Sequence, residues 1–357
     1  MTYGFKLPSL WRNVLTKSPA TLCSYSRMQN IERKIDGLPD EIAQKLDDIF
    51  MRNLVDFLAS GPKLNPRTGQ PLMPSIDVPP PRKGKAISRS TLCDGVLGYD
   101  AHVLGRDLAK VMQYGHELTL KEQDRVIYAI EDRHFKEWLA SRRSSALVIK
   151  GSASNFDEPI TAMSFLAAHV INSVNTVADS QMICLHWFTS EHISVRDIDG
   201  NAQGIIRSLI GQLVSLYKGF DLYFIKRSTA QAIRDFNDLE VLCNVFDELI
   251  AQIPKKSTVF CVIDSLARLE YGHKEEVAFL AKRLHQTARW AGEGGNRFKL
   301  LLTHPGGAFS AATEFSTASE TVTLPEDISG DRMGFNRLIW EYKAGEKIFE
   351  LSKGKKK

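Results

Sequence analysis

From residue 145 onward, short apolar runs alternate with longer helical patterns, and this alternation limits the possible folds more than any other feature of the chain. The apolar runs predict strands at 145–150, 181–188, 257–263, 298–303 and 320–324. The segments between them predict helices near 161–175, 202–217, 238–252 and 274–291. Apolar strands separated by helices are typical of a mostly parallel sheet that is covered on both faces. We therefore expect a three-layer α/β domain with five strands.

Composition divides the rest of the chain. Residues 1–30 contain basic residues and serines but no acidic residue, and residues 61–90 contain seven prolines. Prolines at this density prevent a continuous helix or a central strand. The predicted organisation is a basic arm or transit peptide at 1–30, an amphipathic helical segment at 31–60, a Pro-rich basic linker at 61–97, a helical lead-in at 98–143, the α/β domain at 144–330, and a C-terminal helix or strand remnant with a Lys-rich tail at 331–357.

The bulk composition is that of a chain with a full apolar core. Of its 357 residues, 43% are hydrophobic and 25% are charged, and the net charge is +4. This charge does not by itself indicate nucleic-acid binding. The five cysteines are odd in number and widely spaced, which favours reduced thiols over a disulfide framework. We expect a cytoplasmic location without a membrane span, with a mitochondrial location as the alternative that the basic arm raises.

The turn after the first predicted strand is in the position of a phosphate-binding loop. Gly151 follows the apolar run directly, and a helical pattern comes next. Strand, glycine turn and helix form the usual context of such a loop. The pattern G-x-x-x-x-G-K-[ST], counted from Gly151, puts Phe156 at the second glycine, Asp157 at the lysine and Glu158 at the hydroxyl residue.

Two other strands end in polar residues that fit the same kind of site. The third strand ends at Asp264, as in the Walker B pattern, where an aspartate holds Mg²⁺. An aspartate at a strand end can also simply cap the next turn. The fourth strand ends at Thr303, where P-loop ATPases sense the γ-phosphate. Since the strands are expected to be parallel, these ends should lie at one edge of the sheet.

The order of several short motifs resembles fungal NACHT and related STAND NTPases. The motifs are Trp138, Leu147-Val-Ile-Lys-Gly151, Gly204-Ile-Ile-Arg-Ser-Leu-Ile-Gly-Gln-Leu213, Val262-Ile-Asp-Ser-Leu266, Leu300-Leu-Leu-Thr-His-Pro305 and Thr321-Val-Thr-Leu-Pro325. Still more similar are uncharacterised fungal proteins with an altered Walker A loop, whose helix start resembles Thr161-Ala-Met-Ser-Phe165. The resemblance implies a P-loop NTPase fold with strand order 5-1-4-3-2. It also implies a vestigial nucleotide site at Gly151, Phe156, Asp157, Glu158, Asp264 and Thr303.

The chain departs from this group where the chemistry occurs. Asp157 and Glu158 stand in place of the lysine and the hydroxyl residue, and Ala267 and Arg268 in place of the acidic pair that activates water. Exchanging a lysine for an aspartate about 4 Å from a phosphate charge changes that interaction by about 8 kcal/mol at an effective dielectric of about 20, before screening. We therefore expect no catalytic residues and no cofactor, with ATP and Mg²⁺ bound by Asp264 as the alternative.

The resulting hypothesis is a catalytically inactive scaffold that acts by binding another protein. The alternative is a nucleotide-binding protein, or a weakly active ATPase that serves as a signalling switch with a non-standard phosphate loop. Nucleic-acid binding through the cluster at 82–89 and the Lys-rich tail is a minor option. Its affinity would fall steeply with salt.

Overall fold

A computed structural model describes seven stretches of the chain. They are 87–152, 158–177, 181–194, 196–306, 309–315, 318–330 and 334–352. All of them belong to the unit that spans residues 84–357. The predictions for the basic arm, the amphipathic segment, the linker before residue 87 and the Lys-rich tail lie outside the described residues.

A π-helical turn, Thr91–Leu97, lies within the segment that the sequence predicts to be a linker. Its apolar residues Leu92, Val96 and Leu97 are buried in the main core. The guanidinium of Arg207 donates to the Leu97 carbonyl at 2.8 Å through Nε. The basic, Pro-rich composition of its surroundings hides this apolar face in the sequence, so the linker prediction does not hold from residue 91 onward.

Three helices precede the sheet, and a polar side chain caps each N-terminus. They are α1 (Ala101–Tyr114), α2 (Leu120–Glu131) and α3 (Arg133–Ala140). The capping box predicted at α2 is confirmed. Thr119 Oγ1 accepts from the Glu122 N–H, and the Glu122 carboxylate accepts from the Thr119 N–H. The helical prediction for the lead-in is therefore correct.

Five strands form one parallel sheet. They are β1 (Ser145–Lys150), β2 (Met182–Phe188), β3 (Thr258–Asp264), β4 (Arg297–His304) and β5 (Thr321–Thr323). Their order is β2-β3-β4-β1-β5, and all four pairings are parallel. This is the predicted order 5-1-4-3-2 read from the other edge. The strands are almost continuously apolar because helices cover both faces.

Helices on the two faces of the sheet complete three layers. The α-helices between β1 and β4 are α4 (Ala162–Thr176), α5 (Ala202–Leu216), α6 (Arg227–Gln231), α7 (Leu239–Gln252) and α8 (Glu270–Glu293). The helix α4 packs on one face, together with α1, α2 and α3, while α5, α7 and α8 pack on the other. The start of α8 is interrupted at residues 271–273, where Gly272 has φ 106°.

The chain from 334 to 352 is helical where it is regular. It contains α9 (Arg337–Trp340), a π-helical turn (Glu341–Gly345) and α10 (Glu346–Ser352). Trp340 Nε1 donates to Ser173 Oγ on α4 at 2.7 Å, which fixes this segment on the α4 layer. Of the predicted helix or strand remnant, the described residues show helix and no strand. No helix in the described part of the chain is long and apolar enough to cross a membrane.

The outer edge of β2 is covered by a side chain. Gln212 on α5 accepts from the His186 N–H and donates to the His186 carbonyl, both at 2.9 Å. The amide thus imitates the backbone of a neighbouring strand. Exposed strand edges can pair with other chains, and this contact blocks that pairing at the middle of β2.

A lysine is buried in the sheet near its amino end. Lys299 on β4 is fully buried, and its ammonium donates to the Trp138 carbonyl. The ammonium also lies 5.3 Å from the centre of the Trp138 ring. Burial lowers the pKa of Lys299 to about 7. This side chain connects β4 to α3.

Candidate functional site

The carboxyl ends of β1, β3 and β4 meet at one edge of the sheet. In the strand register, Asp264 on β3 lies opposite Thr303 on β4, and Thr303 lies opposite Ile149 on β1. Gly151 follows β1 by one residue. The structure therefore brings together Gly151, Asp264 and Thr303, three of the six residues that the sequence predicts for a nucleotide site.

Asp264 is fully buried on the face of the sheet that α4 covers. Thr303 Oγ1 donates to Asp264 Oδ1 at 2.6 Å. Burial raises the pKa of Asp264, although the nearby hydroxyl groups of Thr303, Ser164 and Ser265 and the charge of Arg268 act in the opposite direction. Oδ1 of this carboxyl group thus has a donor from the protein, whereas the buried Oδ2 has no hydrogen-bond partner among the described residues.

The turn at Gly151 is held from both sides. Its N–H donates to the His304 carbonyl at 2.7 Å, and its carbonyl accepts from Arg125 Nη1 at 2.5 Å. A Cβ at this position would lie 2.7 Å from the Pro305 carbonyl oxygen, so only glycine fits. Ser152, the next residue, has φ 48°. A non-glycine residue in the left-handed region costs energy that the surroundings must offset.

Arg125 on α2 connects this turn to the segment after β5. Its guanidinium also donates to the carbonyls of Pro325, at 3.2 Å, and Glu326, at 2.6 Å. The side chain is buried, with 5% of the residue exposed. Burial lowers the pKa of Arg125, and the nearby carboxylates Glu122 and Asp327 raise it. Sequence reasoning missed this residue, because its contacts join segments that are far apart in the chain.

Glu158, the fourth predicted site residue, is fixed by two neighbours. Its carboxylate accepts from the Tyr114 hydroxyl at 3.0 Å, and its carbonyl accepts from Arg268. Burial raises the pKa of Tyr114 to about 12, and Glu158 contributes in the same direction. The predicted site residues Phe156 and Asp157 lie outside the described residues.

A capping box holds the first turn of α4 and satisfies two of its N–H groups, those of Thr161 and Ser164. Thr161 caps the helix and accepts from the Ser164 N–H, while Ser164 Oγ accepts from the Thr161 N–H. In a phosphate-binding loop, N–H groups at this place face the ligand. Ser164, which sequence reasoning did not single out, is fully buried, and its hydroxyl lowers the pKa of Asp264. Its signal in the sequence is the cap pattern Thr161-Ala-Met-Ser164.

The residues after Asp264 offer no free carboxylate for activating water. Ala267 and Arg268 lie on the 3-10 turn Leu266–Leu269. The next acidic residue, Glu270, accepts from the N–H groups of Ser310 and Ala311, at 3.3 and 2.9 Å. Glu270 is thus held by the protein's own N–H groups, while Asp264 Oδ2 stays buried without a hydrogen-bond partner in the described part of the chain.

The fold and the position of this site define a class: a three-layer α/β domain of P-loop type, with its candidate site at the carboxyl edge of the sheet. A family model described as Nephrocystin 3, N-terminal, matches residues 128–303. The match runs from α2 to Thr303 and lies within the region whose motifs resemble NACHT and STAND NTPases. The curated proteins and the solved structures with which the chain was compared include no match.

Proposed function

We propose that the chain is a P-loop-type scaffold that does not hydrolyse ATP and that acts by binding another protein. Its altered Walker A loop makes it similar to degenerate fungal NACHT and STAND domains. The carrying observation is that two ways of placing the Walker A pattern, one from Gly151 and one from the start of α4, both leave the lysine position without a lysine.

The residue that occupies the lysine position of the Walker A pattern can be located in two ways. Counted from Gly151, it falls on Asp157, and the hydroxyl position falls on Glu158. Counted from the start of α4, where G-K-[ST] opens the helix, the two positions fall on Met163 and Ser164. The second count keeps a hydroxyl near Asp264 but replaces the lysine by a buried methionine. A triphosphate therefore lacks its main cation in both cases.

A carboxylate among the described residues near the site would also repel a bound triphosphate. Glu158, four residues before α4, places a carboxylate at hydrogen-bond distance from the Tyr114 hydroxyl. Arg268, whose charge lowers the pKa of Asp264, donates to the Glu158 carbonyl. In an effective dielectric of about 20, each like charge about 4 Å from a phosphate costs about 4 kcal/mol before screening. We infer that Mg-ATP binds very weakly or not at all.

Support for protein binding comes from the loops at the same edge. Three large apolar side chains are exposed there, after β2 and β3. They are Ile193, Ile198 and Tyr271, with exposed fractions of 48%, 80% and 98%. Tyr271 lies in the interruption of α8, where Gly272 turns the chain outward. Exposed aromatic and aliphatic residues at loops are common anchors of protein interfaces.

Calorimetric titration with Mg-ATP tests the nucleotide part. The wild-type protein should give no binding in the micromolar range. Micromolar affinity that is lost in Asp264→Ala would overturn the proposal in favour of a nucleotide-binding switch. The two counts predict different rescues. If the Walker A pattern is correctly counted from Gly151, the double variant Asp157→Lys with Glu158→Ser should gain affinity for Mg-ATP. If it is correctly counted from the start of α4, Met163→Lys should gain that affinity. Thermal unfolding would confirm that each variant is folded.

Proximity labelling in cells tests the partner part. Partners recovered with the wild-type protein should also be recovered with Asp264→Ala, because binding does not depend on a nucleotide. The same partners should be lost with Ile198→Asp and Tyr271→Asp. The matched control is Tyr223→Asp, because Tyr223 follows α5 and is 65% exposed. Partners that depend on Asp264 but not on the exposed loop residues would contradict the scaffold proposal.

A further inference from the structure

His192 lies between two aspartates from different parts of the chain. It is the last residue of the 3-10 turn Thr189–His192, which follows β2. Its Nδ1 is 2.7 Å from Asp197 Oδ2, and its Nε2 is 3.0 Å from Asp107 Oδ2. The ring also stacks on Trp187, with 4.0 Å between ring centres and 21° between planes. Only 7% of His192 is exposed.

This contact joins three elements. Asp107 belongs to α1, His192 follows β2, and Asp197 belongs to the loop that leads to α5. Asp197 also accepts from the Asp199 N–H at 2.9 Å through its other oxygen, so it organises the turn before the α5 cap at Asn201. Releasing His192 would therefore free one end of an already formed turn.

Both contacts require the charged form of the ring. A neutral imidazole has one N–H and one lone pair, so it can donate to one aspartate only. The second carboxylate would then face a lone pair at hydrogen-bond distance, which is repulsive. Protonation gives the ring a second N–H and a positive charge between two negative ones. The geometry thus couples the protonation of His192 to the closure of the loop.

We propose that His192 is a pH-sensitive clasp that fastens the loop at residues 193–194 and 196–201 to α1 and releases it on deprotonation. Ile193 and Ile198 are exposed on this loop. The released loop would present these two apolar side chains in a different arrangement. The proposal does not depend on whether the P-loop-type site binds a nucleotide.

The charges around the ring support the clasp. Burial lowers the pKa of His192, but the hydrogen bonds and charges of Asp107 and Asp197 outweigh it, and the pKa is raised above 6.5. On α1, Arg106 lies 4.0 Å from Asp107, and Lys110 pairs with Glu191. On β2, His186 stays neutral because burial lowers its pKa to about 4. The two aspartates are therefore the dominant charges that face the ring.

A metal ion does not explain the cluster. The described residues include no group of three or more His, Cys, Asp or Glu side chains arranged to hold a metal. Both ring nitrogens are in direct contact with a carboxylate oxygen, which leaves no lone pair directed at an open position. The arrangement is that of an ion-paired imidazolium.

Hydrogen exchange of the loop amides between about pH 6 and pH 9 tests the clasp. After correction for intrinsic exchange, protection at residues 196–201 should fall about tenfold or more in the wild-type protein as the pH rises. In His192→Gln the protection should be low and independent of pH. In Asp107→Asn the fall should begin at a lower pH, because one stabilising charge is missing. Equal protection at all pH values in the wild-type protein would overturn the proposal.

Two further measurements keep the test independent of how well the variants fold. An NMR titration of the wild-type His192 ring gives its pKa directly, and a value at or below 6.5 would also overturn the clasp. The control variant is His134→Gln. His134 lies 3.3 Å from a single carboxylate, Asp132, and is more exposed. This control should leave the exchange of the loop unchanged.

Discussion

Thr303 Oγ1 donates a 2.6 Å hydrogen bond to Oδ1 of Asp264, so the ends of β4 and β3 are joined by their side chains as well as by the sheet. The Ser265 N–H then donates to the Thr303 carbonyl at 2.8 Å, one residue beyond β3. In an active P-loop NTPase the corresponding aspartate holds Mg²⁺. In this protein the side chain of Asp264 links the end of β3 to the end of β4.

Thr303→Val should lower the free energy of unfolding by about 1–3 kcal/mol, because it leaves a buried carboxylate oxygen without its donor. Urea unfolding followed by circular dichroism measures the change. Thr323→Val, on the exposed side of β5, is the matched control and should change stability little. A value equal to that of the control would mean that the hydrogen bond contributes nothing.

Asp264→Asn should alter how stability depends on pH. Burial raises the pKa of Asp264, so the folded state holds a proton more tightly than the unfolded state, whose carboxyl has the ordinary pKa of 3.8. The stability of the wild-type protein is therefore penalised at neutral pH and recovers as the pH falls through the folded pKa. Asparagine does not titrate. Its stability advantage over aspartate should shrink as the pH falls, and an advantage that is constant with pH would contradict this account.

Arg125→Met should destabilise the protein by about 2–4 kcal/mol, because three backbone carbonyls lose a charged donor. Arg125→Lys should recover only part of this loss, since an ammonium cannot reach the carbonyls of Gly151 and Glu326 as a planar fork does. Chemical unfolding gives the size of the effect, and hydrogen exchange should locate it at the turn after β1 and the segment after β5. Arg133→Met, on the exposed side of α3, should have little effect in either measurement.

Gln212→Leu should uncover the edge of β2. The His186 N–H and carbonyl would lose their partners, which costs about 2–4 kcal/mol for the two groups. An open strand edge also promotes pairing between chains, so light scattering during storage should increase. Gln203→Leu, on the first turn of the same helix, is the matched control. A stable variant that scatters no more light than the wild-type protein would show that the edge is protected by other means.

The fold can be predicted from the sequence, because a strand that is buried on both faces of the sheet consists almost entirely of apolar residues. Runs such as Ala146–Ile149 and Val259–Ile263 are apolar throughout, and their bounds agree with the observed strands within one or two residues. The capping box at Thr119 and Glu122 is equally local. The strand order, in contrast, came from the resemblance to a family rather than from periodicity.

The candidate site can be predicted from the sequence only in part. The position of Asp264 and Thr303 at one edge of the sheet can be predicted, because strand ends are visible in the sequence. The contacts of Glu158 with Tyr114 and Arg268 cannot, since the partners lie 44 and 110 residues away. A loop template measured from Gly151 also cannot show that α4 starts at Ala162, which is what places Ser164 beside Asp264. The partners of His192 are hidden for the same reason.

The ammonium of Lys299 sets a limit on where the domain can be cut. A fragment that begins with β1, at residue 145, would retain this buried cation but lose both the Trp138 carbonyl and the Trp138 ring. It would also lose Arg125, which anchors the turn after β1. A fragment that keeps these contacts therefore has to include α2 and α3, although the alternation of strands and helices starts only after them.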